Sequence, residues 1–247
     1  RMLGSSQSIS GPNIALNTIM AEELSQFADA LEGAADFNTA LHELVQKTFT
    51  EHQRIIFNGN GYEDAWVKEA QKRGLSNLAC TADALKTYLQ PKHVSLFSKH
   101  GVFTKEELAA RNEIHLENYC EVIGIEARTM IDMVKRSIFP AVCTFSGTIA
   151  SSVAAKKAVL AELDCSDEEA LLRKLNALSS EMMKQARALE GTLSAPKGED
   201  AYEAAHYYRY TVFDIMSRLR TAVDELESIT AGDAWPYPSY TELLFSV

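Results

Sequence analysis

Apolar residues repeat at helical spacing through the second half of the chain, and this pattern limits the fold more than any other feature. Between residues 166 and 191, and again between 199 and 229, apolar side chains recur at steps of three and four. This spacing places them on one face of an α-helix, and the second set has a heptad-like order. Each stripe needs an apolar partner, so the sequence predicts packed helices. The two sets are Leu171, Leu175, Leu178, Met182, Ala186 and Leu189, then Val212, Met216, Leu219, Val223 and Leu226.

The first hundred residues predict shorter helices separated by turns. A polar loop leads to Pro12, which suits the first turn of a helix that ends near Leu31. Asp36 can cap a second helix that runs to about His52. Residues 53–62 interrupt the helical pattern with a β-prone run and a turn signal, so we expect at most a minor β-hairpin near 54–62. Short helices are expected at 63–73, 81–89 and 91–99.

Two capping boxes mark helix starts in the second half, at residues 104–107 and 166–169. The first opens a predicted helix that runs to about Phe139, bends at Gly124 and ends or bends at Pro140. An irregular stretch at 141–147 then precedes a helix to about Leu163, and two long helices follow. Short loops between long helices indicate antiparallel neighbours.

The predicted fold class is therefore mainly α, with an antiparallel helical bundle at 104–230. The preceding chain divides into 1–52 and a connecting region at 53–103 that has short helices and a turn. Residues 231–247 form a tail rich in aromatic residues and proline, a composition typical of a segment that docks on another surface.

Composition excludes several classes of protein. The net charge is −10, from 34 acidic and 24 basic residues, and no Lys- or Arg-rich run offers a surface for nucleic acid. We expect no membrane span, because no apolar run approaches the ~20 residues that one needs. The sparse cysteines favour reduced thiols in the cytoplasm, with Cys120 and Cys143 packed in the core.

Possible metal ligands occur in two places, and each has a simpler structural interpretation. Glu203 and His206 form a Glu-x-x-His pair, but a di-iron bundle needs a second such pair, which the chain lacks. Glu113, His115 and Glu117 lie close in sequence, yet on a helix the histidine faces away from both carboxylates. We therefore predict no metal site in this chain.

The remaining candidate residues also leave two interpretations open. The turn at 58–61, Asn-Gly-Asn-Gly, is either a surface turn or an anion-binding loop.

A group of aromatic residues near 202–213 predicts burial or an interface rather than a ligand site. Four histidines have no carboxylate or cysteine at a recognisable metal spacing. The aromatic residues are Tyr202, Tyr207, Tyr208, Tyr210 and Phe213, and the histidines are His42, His52, His93 and His100.

Several stretches, taken in order, resemble the C-terminal third of type III glutamine synthetase. Near the start they are the segments at 1–8, 11–19 and 54–62. The resemblance covers essentially the whole chain, and the ordered set is more specific than any single piece. The later stretches are Glu113 to Tyr119, Ile125 to Ala127, Met130 to Met133, Pro140-Ala141, Trp235 to Pro238 and Leu243 to Phe245.

That resemblance implies an ATP-dependent ligase that joins ammonia to L-glutamate through a γ-glutamyl phosphate. It implies Mg²⁺ between the phosphates, bound mainly by carboxylates upstream of this segment. It also implies a homo-oligomer of two stacked hexameric rings, a dodecamer, with active sites between neighbouring subunits. Residues 1–52 would then be the tail of the catalytic domain, and the chain would begin within a longer protein.

The resemblance assigns one active-site residue, Arg1, as both catalytic and substrate-binding. In the wider family an arginine two residues after a metal-binding glutamate helps to bind glutamate and the transferred phosphoryl group. A guanidinium suits that task, because its planar set of donors holds carboxylate or phosphoryl oxygens. We expect the segment alone to be inactive. The alternative is a non-catalytic helical scaffold or interaction module.

Overall fold

The structure, a computed structural model, describes residues 7–194 and 200–245 of the 247-residue chain. It is 77% helical and the described residues contain no strand, which confirms the mainly α fold. The chain divides into two compact units, Arg1–His115 and Leu116–Val247. Each unit is described by itself.

Short helices with few buried residues make up the first unit. Asp36 caps α2 as predicted, because its carboxylate accepts hydrogen bonds from the backbone N–H groups of Asn38 and Thr39. Pro91 lies in the first turn of α5, where its missing N–H costs nothing. The elements are α1 (Ser10–Leu31), α2 (Phe37–Glu51), a 3₁₀ turn (Gln53–Ile55), α3 (Asp64–Lys72), α4 (Thr81–Leu85), α5 (Pro91–Lys99) and the start of α6 at Lys105.

The second unit contains longer helices and two π-helical turns. After α6 (Lys105–Met133), one π-turn (Val134–Ile138) leads directly into α7 (Phe139–Val159). The remaining elements are α8 (Ser166–Leu193), α9 (Ala201–Tyr207), a second π-turn (Tyr208–Val212), α10 (Phe213–Ile229) and α11 (Tyr240–Phe245).

Ion pairs show that α7 and α8 run antiparallel. At one end Lys156 contacts Glu168, and at the other Lys135 Nζ, just before α7, lies 2.7 Å from Glu190 Oε2. The order of the residues is therefore reversed between the two helices. At the end of α9, Tyr207 lies near the end of α8, where its hydroxyl donates to the carbonyl of Thr192 at 3.2 Å.

Both predicted apolar stripes lie in the core of the second unit. Leu175, Met182 and Leu189 from α8 are fully buried, as are Leu219 and Leu226 from α10. Leu171, Leu178 and Val223 are half-buried and pack against the same cluster. The residues that the helical periodicity selects therefore lie in this core.

The expected irregular stretch at 141–147 is wrong, because α7 continues through it. The preceding π-turn explains how the helix accommodates Pro140. In that turn the N–H of Phe139 bonds to the carbonyl of Val134, five residues back. This change in hydrogen-bond spacing, from four residues to five, occurs just before Pro140, where a regular α-helix would need the N–H that proline lacks. The helix α6 is continuous through Gly124 as far as Met133.

One predicted capping box forms and the other does not. Thr104 N–H donates to Glu107 Oε2 at 2.8 Å, and Glu107 N–H donates to Thr104 Oγ1 at 3.1 Å. At the start of α8, the backbone N–H of Ser166 instead donates to Asp164 Oδ1 at 2.9 Å. The acidic residues that follow bind lysines from the end of α7, so tertiary contacts override the local capping pattern.

By length and composition alone, one apolar stretch within the continuous helix Lys105–Val159 could cross a membrane. The expectation that no apolar run approaches this length is therefore wrong. The stretch is weak evidence for a membrane span by itself, because the core helix of a soluble protein passes the same test.

The expectation that Cys120 and Cys143 pack in the core is partly wrong. Cys143 is exposed, whereas Cys120 is half-buried and packs against the core.

Candidate functional site

Arg1, the residue that the family resemblance selects, lies outside the described residues. Its position relative to the other residues therefore stays a prediction. The described part of the chain contributes three arrangements of polar and aromatic side chains: a loop around Arg73, a cluster around Glu22, and the aromatic group on α9 and the second π-turn.

No group of three or more His, Cys, Asp and Glu side chains among the described residues could hold a metal ion. Glu113, His115 and Glu117 are exposed on α6. His206 lies among aromatic rings, with its centroid 4.5 Å from that of Tyr210. The described residues therefore do not fit Mg²⁺, which prefers several oxygen ligands at one site.

Arg73 fixes the loop that follows α2. Its Nη1 donates to the carbonyl of Ile56 at 3.0 Å, and its Nε donates to Glu69 Oε1 at 2.7 Å. A second, longer bond of 3.5 Å reaches the carbonyl of Arg54. The β-prone run at 54–57 therefore gives its carbonyls to an arginine side chain rather than to a second strand, and the minor hairpin does not form.

Aromatic packing also holds the same loop. The rings of Phe57 and Trp66 stack with centroids 4.0 Å apart, and the guanidinium of Arg73 lies 5.5 Å from the Trp66 ring. Phe57 also covers Gly59, where an added Cβ would come within 2.6 Å of the phenyl ring. A side chain at residue 59 would therefore have to displace the Phe57 ring, which stacks on Trp66.

The turn at 58–61 satisfies part of its own hydrogen bonding. Asn60 Oδ1 accepts from the N–H of Tyr62 at 3.0 Å, and Asn60 Nδ2 donates to Glu63 Oε1 at the same distance. The side chain of Tyr62 is 98% exposed. These contacts support the interpretation of a surface turn, and they give no separate indication of a bound anion.

A polar cluster joins α1 to the end of α5. The carboxylate of Glu22 accepts hydrogen bonds from Lys99 Nζ at 2.8 Å and from Gln26 Nε2 at 2.7 Å. The His100 ring nitrogen Nε2 lies 2.7 Å from its other oxygen. Hydrogen bonds from Lys99, Gln26 and His100, in that order, lower the pKa of Glu22 to about 2.

Sequence spacing could not reveal the partner of His100. The histidine has no carboxylate nearby in sequence, and Glu22 lies 78 residues away. A second histidine, His93, contacts the carbonyl of Thr87 at 2.8 Å through Nδ1. Both therefore have structural partners, whereas His42 and His52 are exposed on or beside α2.

The aromatic group at 202–213 is partly core, as predicted. Tyr208 is only 2% exposed and belongs to the apolar cluster of the second unit. Tyr210 and Phe213 are on the surface, and the guanidinium of Arg209 lies 5.3 and 5.0 Å from their ring centroids. The group therefore lies half in the core and half on an exposed face.

Comparison with known proteins supplies the family. Residues 40–157 match the glutamine synthetase C-terminal domain. A glutamine synthetase of Butyrivibrio fibrisolvens is 38% identical over 83% of this chain and 29% of its own length. A type-3 glutamine synthetase of Dictyostelium discoideum is 30% identical over 99% of the chain and 34% of its own length.

A third relative, a glutamine synthetase of Bacteroides fragilis, is 27% identical over 100% of this chain and 35% of its own length. The chain therefore spans about a third of the length of the relatives that it matches. Because the domain match and the long alignments agree, the chain belongs to the family of the glutamine synthetase C-terminal domain.

Proposed function

We propose that the chain is the C-terminal segment of a type III glutamine synthetase, which ligates ammonia to L-glutamate at the expense of ATP. The observation that supports this most is the alignment with a type-3 glutamine synthetase over 99% of the chain. In the proposed reaction the side-chain carboxylate of glutamate attacks the γ-phosphorus of ATP, which releases ADP. Ammonia then attacks the γ-glutamyl phosphate, and inorganic phosphate leaves as glutamine forms.

Within this proposal the metal and the nucleotide bind mainly outside the segment. Mg²⁺, when bound, offsets the charge that develops on the transferred phosphoryl group. The described residues lack a suitable cluster of ligands, so the proposal assigns metal and ATP binding to upstream residues of the full-length protein. This segment alone is accordingly proposed to be inactive.

The active-site residue proposed for this chain is Arg1. Its guanidinium would hold an oxygen of glutamate or of the transferred phosphoryl group, because a planar set of N–H donors matches both anions. The support is the resemblance of residues 1–19 to the strand end and the following helix of the family. No described residue is assigned a catalytic role.

The rest of the segment is proposed to provide structural and inter-subunit contacts. Exposed apolar side chains on the first two helices support this: Leu16 and Leu24 are each 60% exposed, and Phe49 is 62% exposed. Such patches mark interaction surfaces in soluble proteins. We propose a cytoplasmic homo-oligomer, a dodecamer of two stacked hexameric rings, that binds neither nucleic acid nor membranes.

A ligase assay on the full-length protein tests the proposal. With L-glutamate, ammonia, ATP and Mg²⁺, the wild-type protein should form glutamine and inorganic phosphate in equal amounts. Arg1→Ala should lower turnover by roughly 100-fold, the typical effect of removing one preorganised transition-state donor. The matched control is Arg136→Ala, since Arg136 is an exposed arginine paired only with Asp132 in the described structure.

The second candidate function is a non-catalytic helical scaffold, favoured by the continuous apolar core of the second unit. The same assay separates the two. A folded full-length protein that forms no glutamine supports the scaffold and contradicts the ligase. Equal turnover for Arg1→Ala and the wild type would contradict the assignment of Arg1 while leaving the ligase proposal intact.

A further inference from the structure

An open pocket of about 500 Å³ lies beside the loop that follows α2, wholly within the first unit. The described residues that line it are Gln53, Arg54, Ile56 and Arg73. Three of these carry polar side chains, and none is acidic. Neither the family resemblance nor the proposed ligase reaction assigns a role to any of the four.

Arg73 is held in a fixed orientation at this pocket. Its Nε donates to Glu69 Oε1 at 2.7 Å, and its Nη1 donates to the carbonyl of Ile56 at 3.0 Å. The guanidinium also lies 5.5 Å from the centroid of the Trp66 ring. Because these contacts already order the side chain, a ligand that binds it loses little affinity to side-chain ordering.

The hydrogen-bond donors of Arg73 are only partly used within the chain. A guanidinium has five N–H donors. Glu69 accepts from Nε, and the carbonyls of Ile56 and Arg54, at 3.0 and 3.5 Å, accept from Nη1. The two donors on Nη2 have no acceptor within the described part of the chain. A ligand oxygen can therefore bind Nη2 without displacing an existing contact.

Arg54 supplies the positive charge that Arg73 cannot. The ion pair with Glu69 offsets the charge of Arg73. Arg54 is exposed, and its guanidinium has no partner among the described residues. Gln53, also exposed, adds a side-chain amide. The lining therefore combines one uncompensated positive charge with N–H donors from three side chains.

We propose that this pocket binds a phosphoryl group, either as free phosphate or as part of a nucleoside phosphate. The phosphate oxygens accept hydrogen bonds from Arg73 Nη2, the Arg54 guanidinium and the Gln53 amide. Planar arginine donors match phosphate oxygens, and no carboxylate lines the pocket to repel them. The turn at 58–61 does not line this pocket, and the inference does not depend on the proposed ligase activity.

Titration calorimetry on the full-length protein tests the inference with three probes: inorganic phosphate, ADP and glutarate. Phosphate or ADP should bind, and Arg54→Gln should weaken that binding by at least ~10-fold, as expected for a lost charged hydrogen bond. Arg187→Gln is the matched control, because Arg187 is also an exposed arginine without a partner among the described residues. This control should leave the binding unchanged.

Subtracting the titration of Arg54→Gln from that of the wild type removes all binding to which Arg54 does not contribute. In this difference, tighter binding of ADP than of phosphate assigns the site to a nucleoside phosphate, and otherwise it is a site for free phosphate. The inference fails if neither probe shows binding that depends on Arg54. It also fails if glutarate shows such binding at least as tightly as both. These outcomes are independent of whether the protein forms glutamine.

Arg54→Lys provides a second variant, which keeps the charge and removes the planar set of donors. Its affinity for the phosphoryl probe should lie between those of Arg54→Gln and the wild type. Because the Arg54 side chain has no partner in the described structure, both variants should fold with circular dichroism unchanged. A lysine variant that binds no more tightly than the glutamine variant would overturn the role given to the charge of Arg54.

Discussion

The two units of this chain bury their apolar residues to very different extents. In the second unit, a continuous cluster includes fully buried leucines from both α8 and α10, such as Leu175, Leu189 and Leu219. In the first unit, α1 and α2 leave Leu16, Leu24 and Phe49 largely exposed. The second unit therefore has an apolar core of its own. In the first unit, α1 is linked to α5 by the polar cluster at Glu22.

This difference teaches that the formation of helices does not by itself determine how stable a unit is. A helix gains most of its stability in a protein from the burial of an amphipathic face. The helices of the second unit obtain this burial from one another. The apolar faces of α1 and α2 remain available for another surface, consistent with the proposed inter-subunit role.

The largest effect should come from truncating a buried leucine in the second unit. Leu219→Ala should lower the free energy of unfolding by about 2–5 kcal/mol, because Leu219 is 0% exposed and its removal leaves a cavity. The matched change in the first unit, Leu24→Ala, should cost no more than about 0.5 kcal/mol. Urea unfolding of the 247-residue chain followed by circular dichroism measures both. Equal losses would abolish the contrast between the units.

A smaller effect is expected at the start of α6, where the capping box forms. Thr104→Ala should cost about 1 kcal/mol, because it leaves the Glu107 N–H without its side-chain acceptor. Ser166→Ala is the control, since Ser166 matches the same sequence pattern but does not cap α8 through a box. We expect it to change the free energy of unfolding by less than half as much. A larger loss for Ser166→Ala would show that the pattern matters more than the observed geometry.

Acid should weaken the link between α1 and α5 in the first unit. The pKa of Glu22 is lowered to about 2 in the folded chain, against 4.5 for an unperturbed glutamate. The unfolded state therefore binds the proton first, and the stabilising contribution, complete above pH 4.5, is lost as the pH falls toward 2. Carbon-13 NMR titration of the Glu22 carboxyl measures this directly.

Glu22→Gln provides the control for that titration, because it removes the ionisable group and keeps the shape. The variant should lose the part of the acid dependence that Glu22 contributes between pH 4.5 and about 2. A Glu22 carboxyl that titrates near 4.5 in the folded protein would contradict the contacts with Lys99 and His100.

The smallest effect should be that of the ion pairs between α7 and α8. Lys156 contacts Glu168, and this contact raises the pKa of Lys156 and lowers that of Glu168. Lys156 is exposed and Glu168 is half-buried at the surface, where salt screens such pairs strongly. A double-mutant cycle of Lys156→Met and Glu168→Gln should give a coupling free energy smaller than the effects above. A coupling as large as the loss from Leu219→Ala would show that charge, rather than burial, holds these helices together.

Much of the fold could be predicted because helices are encoded locally. The stripe of α8 and the heptad-like order of α10 specify a buried face within one stretch of sequence, and both are confirmed. The capping residues Asp36 and Thr104 act within four residues of their own position, so they were also identified correctly. Pro140 was misjudged because its compatibility with a continuous helix depends on a π-turn, which no short pattern announces.

The candidate sites could be predicted less well. Arg1 came from family resemblance and lies outside the described residues, so it remains a prediction. The close approach of Tyr208 to Gly124 could not be predicted, because Tyr208 is 84 residues further along the chain, by the difference of their numbers. The sequence indicated only a bend at that glycine, whereas the structure shows an unbroken helix with a tyrosine against it.

The sequence by itself determined the helical class, the apolar faces of α8 and α10, and the start of several helices, since these depend on residues within a turn or two. Tertiary structure alone decided that Glu22 pairs with His100, that Arg73 takes the carbonyls of a β-prone run, and that Tyr208 lies close to Gly124. Those contacts depend on the packing of whole helices, which brings together residues that are far apart in sequence.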